Sequence, residues 1–346
     1  MIYDIAIIGA GASGLMAASR FQNQKTCLID KNKNIGEKIR ISGGAKCNIT
    51  NKYLDENYYD GDKELISKTF KKFDNQKLLN FLNKNGVFPK IDEKIVKGTY
   101  FCNSSSEPIK MFKKLNKKTD FYMEHEVLDV EFKDEVFIVK TNKQNIKSKK
   151  LIVASGGLSY KSLGASDIGY KIAKKFGHNI KKLDPALVGF TVQKEQFWFK
   201  ELSGLSLDVE ISIENKKIKG KMLFTHKGCS GPAILTSSLY WKKAQISINF
   251  LPDKNSYLPK RFKQLAKAQN IDLENYLFAP AGNFGYTKAE VTRGGVDTKE
   301  LNANFESKYQ KSLFFIGEIT DVTGELGGYN FQWAFSSGYC VDSLYN

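Results

Sequence analysis

A chain of 346 residues with 41% apolar content can bury a sizeable core and fill two lobes. It has no apolar run near the ~18 residues that a membrane-spanning helix needs. Five scattered cysteines without a CxxC pair argue against a disulfide or metal framework and for a reducing cytoplasm. The net charge is +16, from 53 basic and 37 acidic residues, and only Arg20, Arg40, Arg261 and Arg293 are arginine. Half of the excess falls in residues 61–118, with 14 Lys against 6 Asp and Glu. A lysine-rich solvated surface accounts for such an excess; a basic face that attracts a polyanion is the sharper alternative.

The opening "MIYDIAIIGAGASG" lacks the basic n-region of a signal peptide and reads as a strand and a turn. "DIAII" has the short apolar run of a buried parallel strand. A helix follows, with Leu15, Ala18 and Ser19 toward the sheet, and "TCLIDK" (26–31) closes a strand–helix–strand unit. Residues 62–86 predict two amphipathic helices. Residues 121–157 alternate apolar and polar positions in three runs, as in a β-meander that ends in a buried strand. "SDIGYKIAKKFGH" (166–178) predicts a short helix closed by Gly177. From 187 to 252 the pattern changes to short strands, with one helix over 257–270. "SLFFIGE" (312–318) returns to a buried strand, and a closing helix follows "GELGGYN" (324–330).

Gly9, Gly11 and Gly14 fit G-x-G-x-x-G between a strand and a helix. The first glycine makes the tight turn, the second admits a pyrophosphate against the backbone, and the third lets helix and strand approach. The helix N-terminus adds free N–H groups for phosphate. Asp30, at the end of the second strand, is placed to accept hydrogen bonds from ribose hydroxyls. A second stretch, "NIGEKIRISGGAKCNITN" (34–51), joins small residues to Lys38 and Lys46. Ser42, Gly43 and Gly44 let a backbone approach a flat ring, and the lysines offset phosphate charge.

With "FTHKGCSGPAIL" (224–235), "AEVTRGGV" (289–296) and "GEITDVTGELGGYNFQWAFSSG" (317–338), these stretches resemble the BaiN/YhiN-like family of FAD-dependent oxidoreductases nearly end to end. The resemblance implies an α/β, two-lobed flavoprotein with a Rossmann-like FAD-binding domain of glutathione-reductase-like topology. Residues 1–186 and 301–346 would form that domain. Residues 187–300 would form an inserted β-rich, barrel-like substrate domain, with its helical part reduced to about 254–283. It implies non-covalent FAD and NAD(P)H as reductant. The cofactor would meet Gly9, Gly11, Ala12, Ser13, Gly14, Asp30 and Lys31 at one end. Lys38, Ser42, Gly43, Gly44, Lys46, Cys47 and Asn48 would form a second approach to it, Val127 would touch it, and Ala154, Ser155 and Gly156 would close over it. Gly317 and Glu318 would meet the ribityl chain. Gly328, Asn330 and Phe331 would aim a helix N-terminus at the flavin edge, where negative charge develops on reduction. Two departures stand out: Ala45-Lys46 replaces the family's Gly-Arg, and "GTYFCNSS" (98–105) carries Thr99 and Cys102 where its G-R-x-F-P loop has Arg and Pro.

Reduction of a carbon–carbon double bond needs one proton donor besides the hydride. Cys47, His226 and Tyr329 are the candidates, although packing roles for Cys47 and Tyr329 are the plainer readings. His125 and His178 read as structural. Arg293 is a candidate for a substrate anion. No metal site is expected. Family members are tied to reduction of conjugated rings, with steroid-like bile acid intermediates or a ribosomal RNA uridine as substrates. RNA would be gripped through 61–118, with Lys71, Lys72, Lys113 and Lys114 among the contacts. A reductase or oxidase of a small metabolite, and a non-catalytic FAD-binding scaffold or sensor, are the competing readings.

Overall fold

Strand β1 (Ile2–Ile8) is buried over its last four residues, turns at Gly9 into helix α1 (Ala12–Arg20), and is followed by β2 (Thr26–Asp30). The structure, a computed structural model, describes residues 1–92, 96–253 and 256–341. β1 and β2 pair in parallel, with Ile5 opposite Thr26 and Ile8 opposite Ile29. Helix α2 (Glu37–Ala45) is a short helix interrupted at Ser42–Gly44, where the backbone leaves helical geometry. Its period is too brief to read from sequence. Strands β3 (Asn48–Asn51) and β4 (Tyr59–Gly61) lead to α3 (Lys63–Lys72) and α4 (Asn75–Lys84), the two amphipathic helices that the sequence predicts. Each is capped by an aspartate: Asp62 accepts from the Glu64 and Leu65 N–H groups, and Asp74 from Lys77 N–H. Such caps are worth about 1 kcal/mol each.

Strands β5 (Lys90–Ile91) and β6 (Thr99–Phe101) join β3 in a small sheet ordered β3-β6-β5. Helix α5 (Ser106–Leu115) follows, a helix absent from the sequence reading. The expected three-run meander is corrected in one respect. β7 (Asp120–Met123) pairs in parallel with β2, Cys27 opposite Asp120. The meander proper is β8 (Val127–Lys133), β9 (Val136–Thr141) and β10 (Asn145–Val153). Alternation alone does not distinguish a parallel edge strand from a hairpin partner. Helix α6 (Ile168–Lys175) ends as expected: Gly177 has a φ of 87°, and the His178 N–H reaches Ala173 O.

Residues 185–291 form a compact unit of their own. Seven strands make one ladder in the order 276–278, 246–249, 206–213, 216–225, 228–230, 190–191, 282–283. Among the described residues the two end strands, on either side of Ala279–Ala281, do not pair with each other, so the barrel-like sheet is open there. Helix α7 (Pro232–Tyr240) packs on it. Nearly all of its side chains are buried, which leaves no amphipathic period to detect. Helix α8 (Lys260–Ala268) lies within the segment 254–283 expected to be helical, of which 254 and 255 fall outside the described residues.

The chain rejoins the first unit at Thr292, so residues 292–300, expected in the insertion, belong with the nucleotide-binding sheet. Thr292 Oγ1 accepts from Leu158 N–H at 2.8 Å, and Lys181 N–H donates to Gly295 O at 2.8 Å. Strand Leu313–Phe315 pairs in parallel with β10, Leu151 opposite Leu313, and completes a parallel order β7-β2-β1-β10-(313–315). Helix α9 (Tyr329–Cys340) is the central helix of this unit, packed against α1, α3 and β3. Trp333 is buried in it and donates through Nε1 to Thr320 Oγ1 at 3.1 Å. Phe73 stacks on Tyr339 at 4.0 Å, and Phe112 on Phe335 at 5.7 Å.

Asp321 lies half-buried between the Thr320 turn and strand Val322–Gly324. Burial, with Asp60 and Asp297 nearby, pushes its carboxyl up to about 6, against the opposing pull of Lys181 and Arg293. A carboxyl raised above its unfolded value of about 3.9 binds its proton more tightly in the folded state. Its ionisation therefore opposes folding, and stability falls as pH rises from about 4 to about 6. Asp321→Asn should raise the Tm at pH 8, with the gain shrinking as the pH falls toward 4. A Tm lowered equally at pH 5 and pH 8 would contradict this account.

Candidate functional site

The three glycines of the first turn do different work. A Cβ on Gly14 would lie 2.0 Å from Gly9 O, and one on Gly9 would lie 2.3 Å from Ala154 O. Both are therefore required by the chain's own packing, which seats α1 against the ends of β1 and β10. Gly11 differs. A Cβ there would meet nothing within 4 Å, and its φ of −84° suits any residue. Among the described residues nothing asks for glycine at 11, which suits a group that lies against the backbone from outside. Gly44 is likewise open, with nothing within 4 Å, and Gly43 to Lys46 are exposed. These two open approaches fit a long cofactor such as FAD, whose pyrophosphate and ring both need close backbone contact.

Asp30 shapes the first turn directly. Its Oδ2 accepts from Ala10 N–H at 2.7 Å and its Oδ1 from Asn32 N–H at 2.8 Å. Burial raises its pKa, and these two backbone bonds oppose that rise. The Asn32 side chain is a third donor to it, which leaves one of the four acceptor positions of the carboxylate for a ribose hydroxyl. Lys31 follows it, and Val127 opens β8 nearby, where His125 N–H donates to Asp30 O at 2.9 Å.

The middle of the site converges on Gly317 and Glu318. A Cβ on Gly317 would lie 2.5 Å from Ser13 Oγ, and the Gly317 N–H donates to Ser337 Oγ at 3.0 Å, so α1, the late strand and α9 meet at one point. Glu318 Oε2 pairs with Lys38 Nζ at 2.8 Å, and its Oε1 accepts from Thr292 N–H at 3.0 Å. Gly157 could carry no Cβ without meeting Thr292 Oγ1 at 2.5 Å, and Ser155 Oγ sits against Gly169 of α6. Sequence reasoning missed Thr292. It stands beside Arg293 in a motif already noted, but a threonine carries no charge signal. Tyr160, whose ring lies 5.6 Å from Lys38 Nζ, was missed for the same reason.

The far end is the turn Gly327–Gly328. Gly328 has a φ of 95°, and a Cβ there would lie 2.5 Å from Thr50 O, so β3 backs the turn. Asn51 Nδ2 donates to Gly327 O at 3.1 Å. The first intrahelical bond of α9 runs from Gln332 N–H to Gly328 O. The N–H groups of Tyr329, Asn330 and Phe331 therefore have no acceptor within the helix, and their dipoles suit a partial negative charge.

Several expected residues take other roles. Cys47 is fully buried, and burial pushes its thiol up to about 12. It faces the core beside Cys102, whose N–H donates to Cys47 O, so it is enclosed away from the open face of its turn. The Asn330 amide is spent on Gly324, accepting from its N–H at 2.9 Å and donating to its carbonyl at 2.8 Å. Tyr329 donates its hydroxyl to Tyr53 O at 3.1 Å. His226 is exposed at the turn between strands 216–225 and 228–230 of the second unit. Arg293 pairs with Asp184 at 2.9 Å. Lys71 and Lys72 end α3, and Lys113 and Lys114 end α5. Their helices pack on the C-terminal half of α9, with Phe73 on Tyr339 and Phe112 on Phe335, so these lysines lie toward the opposite end of α9 from Gly328. His178, as expected, is structural: it is buried between Glu300 at 3.2 Å and Ser307 at 2.6 Å. Among the described residues no cluster of His, Cys, Asp and Glu could hold a metal, and no helix is long and apolar enough to cross a membrane.

Comparison with known proteins agrees with this geometry. The profile described as HI0933-like protein Rossmann domain matches residues 3–343. The chain is 35% identical over 394 aligned positions to the ribosomal RNA dihydrouridine synthase of Escherichia coli K12, covering 99% of this chain and 98% of that protein. It is 28% identical to the 3-dehydro-bile acid delta(4,6)-reductase of Clostridium scindens, covering 97% of each. Among solved structures, the 3-ketosteroid delta1-dehydrogenase of Sterolibacterium denitrificans superposes with a TM-score of 0.56 at 10% identity over 99% of both chains, a likeness of fold. The chain belongs to the HI0933-like Rossmann family and is an FAD-dependent oxidoreductase of the BaiN/YhiN-like kind.

Proposed function

We propose that this enzyme reduces the C5–C6 double bond of a uridine in ribosomal RNA, with NAD(P)H as reductant. The carrying observation is the 35% identity, along 99% of the chain, to a protein named for that reaction. Bound FAD supplies hydride transfer between reductant and base. In this reading the backbone at Gly11 and the N-terminus of α1 hold the pyrophosphate. Asp30 and Val127 serve the adenosine, and Glu318, fixed by Lys38 and Thr292, orients the ribityl chain. The free N–H groups of Tyr329 to Phe331 stabilise charge at the ring edge. A base in folded RNA must leave its stack to be reached. The excess of 16 positive charges draws the RNA backbone to the protein.

A second reading, reduction of a conjugated ring in a small metabolite, is favoured by the 28% identical relative named as a bile acid reductase. The two readings separate in a deletion strain: loss of one dihydrouridine from digested ribosomal RNA supports the first, and an unchanged nucleoside profile the second.

Three outcomes are expected of purified protein. It should be yellow and release FAD, not FMN, on acid treatment. Gly11→Val should fold but come out colourless, because its side chain points into open space where the pyrophosphate would lie; retained stoichiometric FAD would place the pyrophosphate elsewhere. The combined change of Lys71, Lys72, Lys113 and Lys114 to Gln should lower RNA affinity and flatten its salt dependence. Each lost single-strand phosphate contact should lower the log–log slope by about 0.7. FAD content should be untouched. An unchanged slope would leave these lysines as solvated surface.

A further inference from the structure

The turn Gly327–Gly328 is overlooked by a group of tyrosines that the cofactor reading does not use. Tyr329, the first residue of α9, is buried and fixed on both sides. Its hydroxyl donates to Tyr53 O at 3.1 Å, and its own carbonyl accepts from Tyr59 at 2.9 Å. On it lies Tyr58, stacked with ring centroids 4.9 Å apart and planes 22° from parallel. Tyr58 is nevertheless 36% exposed, and Tyr53 beside it 39%. One face of Tyr58 is covered by Tyr329, so its exposure comes from the other face and the edge. Two exposed lysines lie over the Tyr53 ring, Lys52 with Nζ 5.6 Å and Lys97 with Nζ 5.7 Å from its centroid, and Gly98 packs against it. The group is held to the turn itself. Glu325 N–H donates to Tyr58 O at 2.9 Å, Lys52 N–H donates to Gly98 O at 2.8 Å, and Gly327 is packed against Val96. Asp55 and Glu325 act on Tyr329 from the Tyr58 side, whereas the lysines stand at Tyr53.

Two partly exposed tyrosine rings on a rigid base, one of them under two mobile cations, suit unstacked nucleic acid: bases stack on the rings as the lysines swing from the ring to the intervening phosphates. We propose that Tyr58 and Tyr53 stack nucleotides that flank the reduced uridine, with Lys52 and Lys97 on their phosphates. This rests on the RNA reading above and adds to it a recognition surface at the turn assigned to the flavin edge. It also divides the labour. The lysines that end α3 and α5 sit toward the other end of α9, which has 12 residues and so spans ~18 Å. They would hold RNA remotely, while the tyrosine corner keeps the strand open beside the reacting base.

The test is the affinity of FAD-loaded protein for a single-stranded ten-nucleotide oligouridine RNA, read by fluorescence anisotropy across a salt series. Tyr58→Ala and Tyr53→Ala should each weaken binding by roughly 5- to 150-fold, with the salt slope unchanged. Tyr→Phe at either position should stay near wild type. Lys52→Gln with Lys97→Gln should instead flatten the slope by about 1.4, at ~0.7 per contact. Tyr→Leu variants, which keep apolar bulk without an aromatic face, decide the matter if the alanine variants lose FAD or melt early. If wild-type protein binds the RNA and the Leu variants bind it equally well, the stacking surface is refuted while the RNA reading stands. If wild-type protein neither binds RNA nor forms dihydrouridine in it, both fall together.

Discussion

The first unit depends on backbone meeting backbone at the carboxyl ends of its parallel strands. Gly14 rests on Gly9 O and Gly9 on Ala154 O, and Gly317 lies against the Ser13 side chain, each at a separation that a single methyl group would violate. These contacts bring the N-terminus of α1 level with the ends of β1 and β10 and with the late Gly317 turn. They also leave the backbone at Gly11 facing open space beside the first turn. Gly9, Gly14 and Gly317 cannot be larger; Gly11, with open space around it and an ordinary φ of −84°, could be and is not, while Gly44 faces open space but has the positive φ of 63° that favours glycine.

A second layer holds the charged groups. Glu318 is tied to Lys38 of α2 and to the Thr292 backbone, so three segments distant in sequence share one carboxylate. The Lys38 side chain is about one-third exposed and that of Glu318 one-fifth, so water screens the pair. Its value lies in position more than in energy: it sets the angle at which α2 and the Gly43–Lys46 turn approach the site. At the far end, Asn330 closes its own turn through Gly324, which leaves the backbone of α9 and not that side chain to meet a ligand.

What could be read in advance follows from what leaves a local signature. The G-x-G-x-x-G turn, Asp30, the capped amphipathic pair α3 and α4, and α9 all carry period or composition cues. Helix α7 was silent because it is buried on every side, and α2 because Ser42–Gly44 break it. β7 was misassigned because strand polarity is decided by a partner ninety-odd residues away, at Cys27. In the site, residue type suggested chemistry that the fold spends otherwise. Cys47 lies in the right motif but turns into the core, because its backbone takes a φ of 57° after the glycine pair. The lysine-rich stretch 61–118 was correctly seen as basic. Its placement could not be seen, since the faces of α3 and α5 are fixed by α9, a helix from the other end of the sequence.

That last dependence reaches into biosynthesis. The apolar faces around Phe70, Phe73 and Phe112 are covered by Trp333, Phe335 and Tyr339 of α9. A ribosome that adds ~5–20 residues per second reaches that helix roughly 10–50 s after Phe112 has been made. For that interval the nascent N-terminal half carries an exposed aromatic seam, and its central sheet lacks the strand that pairs with Leu151–Val153. The nucleotide-binding unit therefore completes its core late in translation, after 185–291 has had time to collapse on its own. Its early half is the part of the molecule that a holding chaperone would meet.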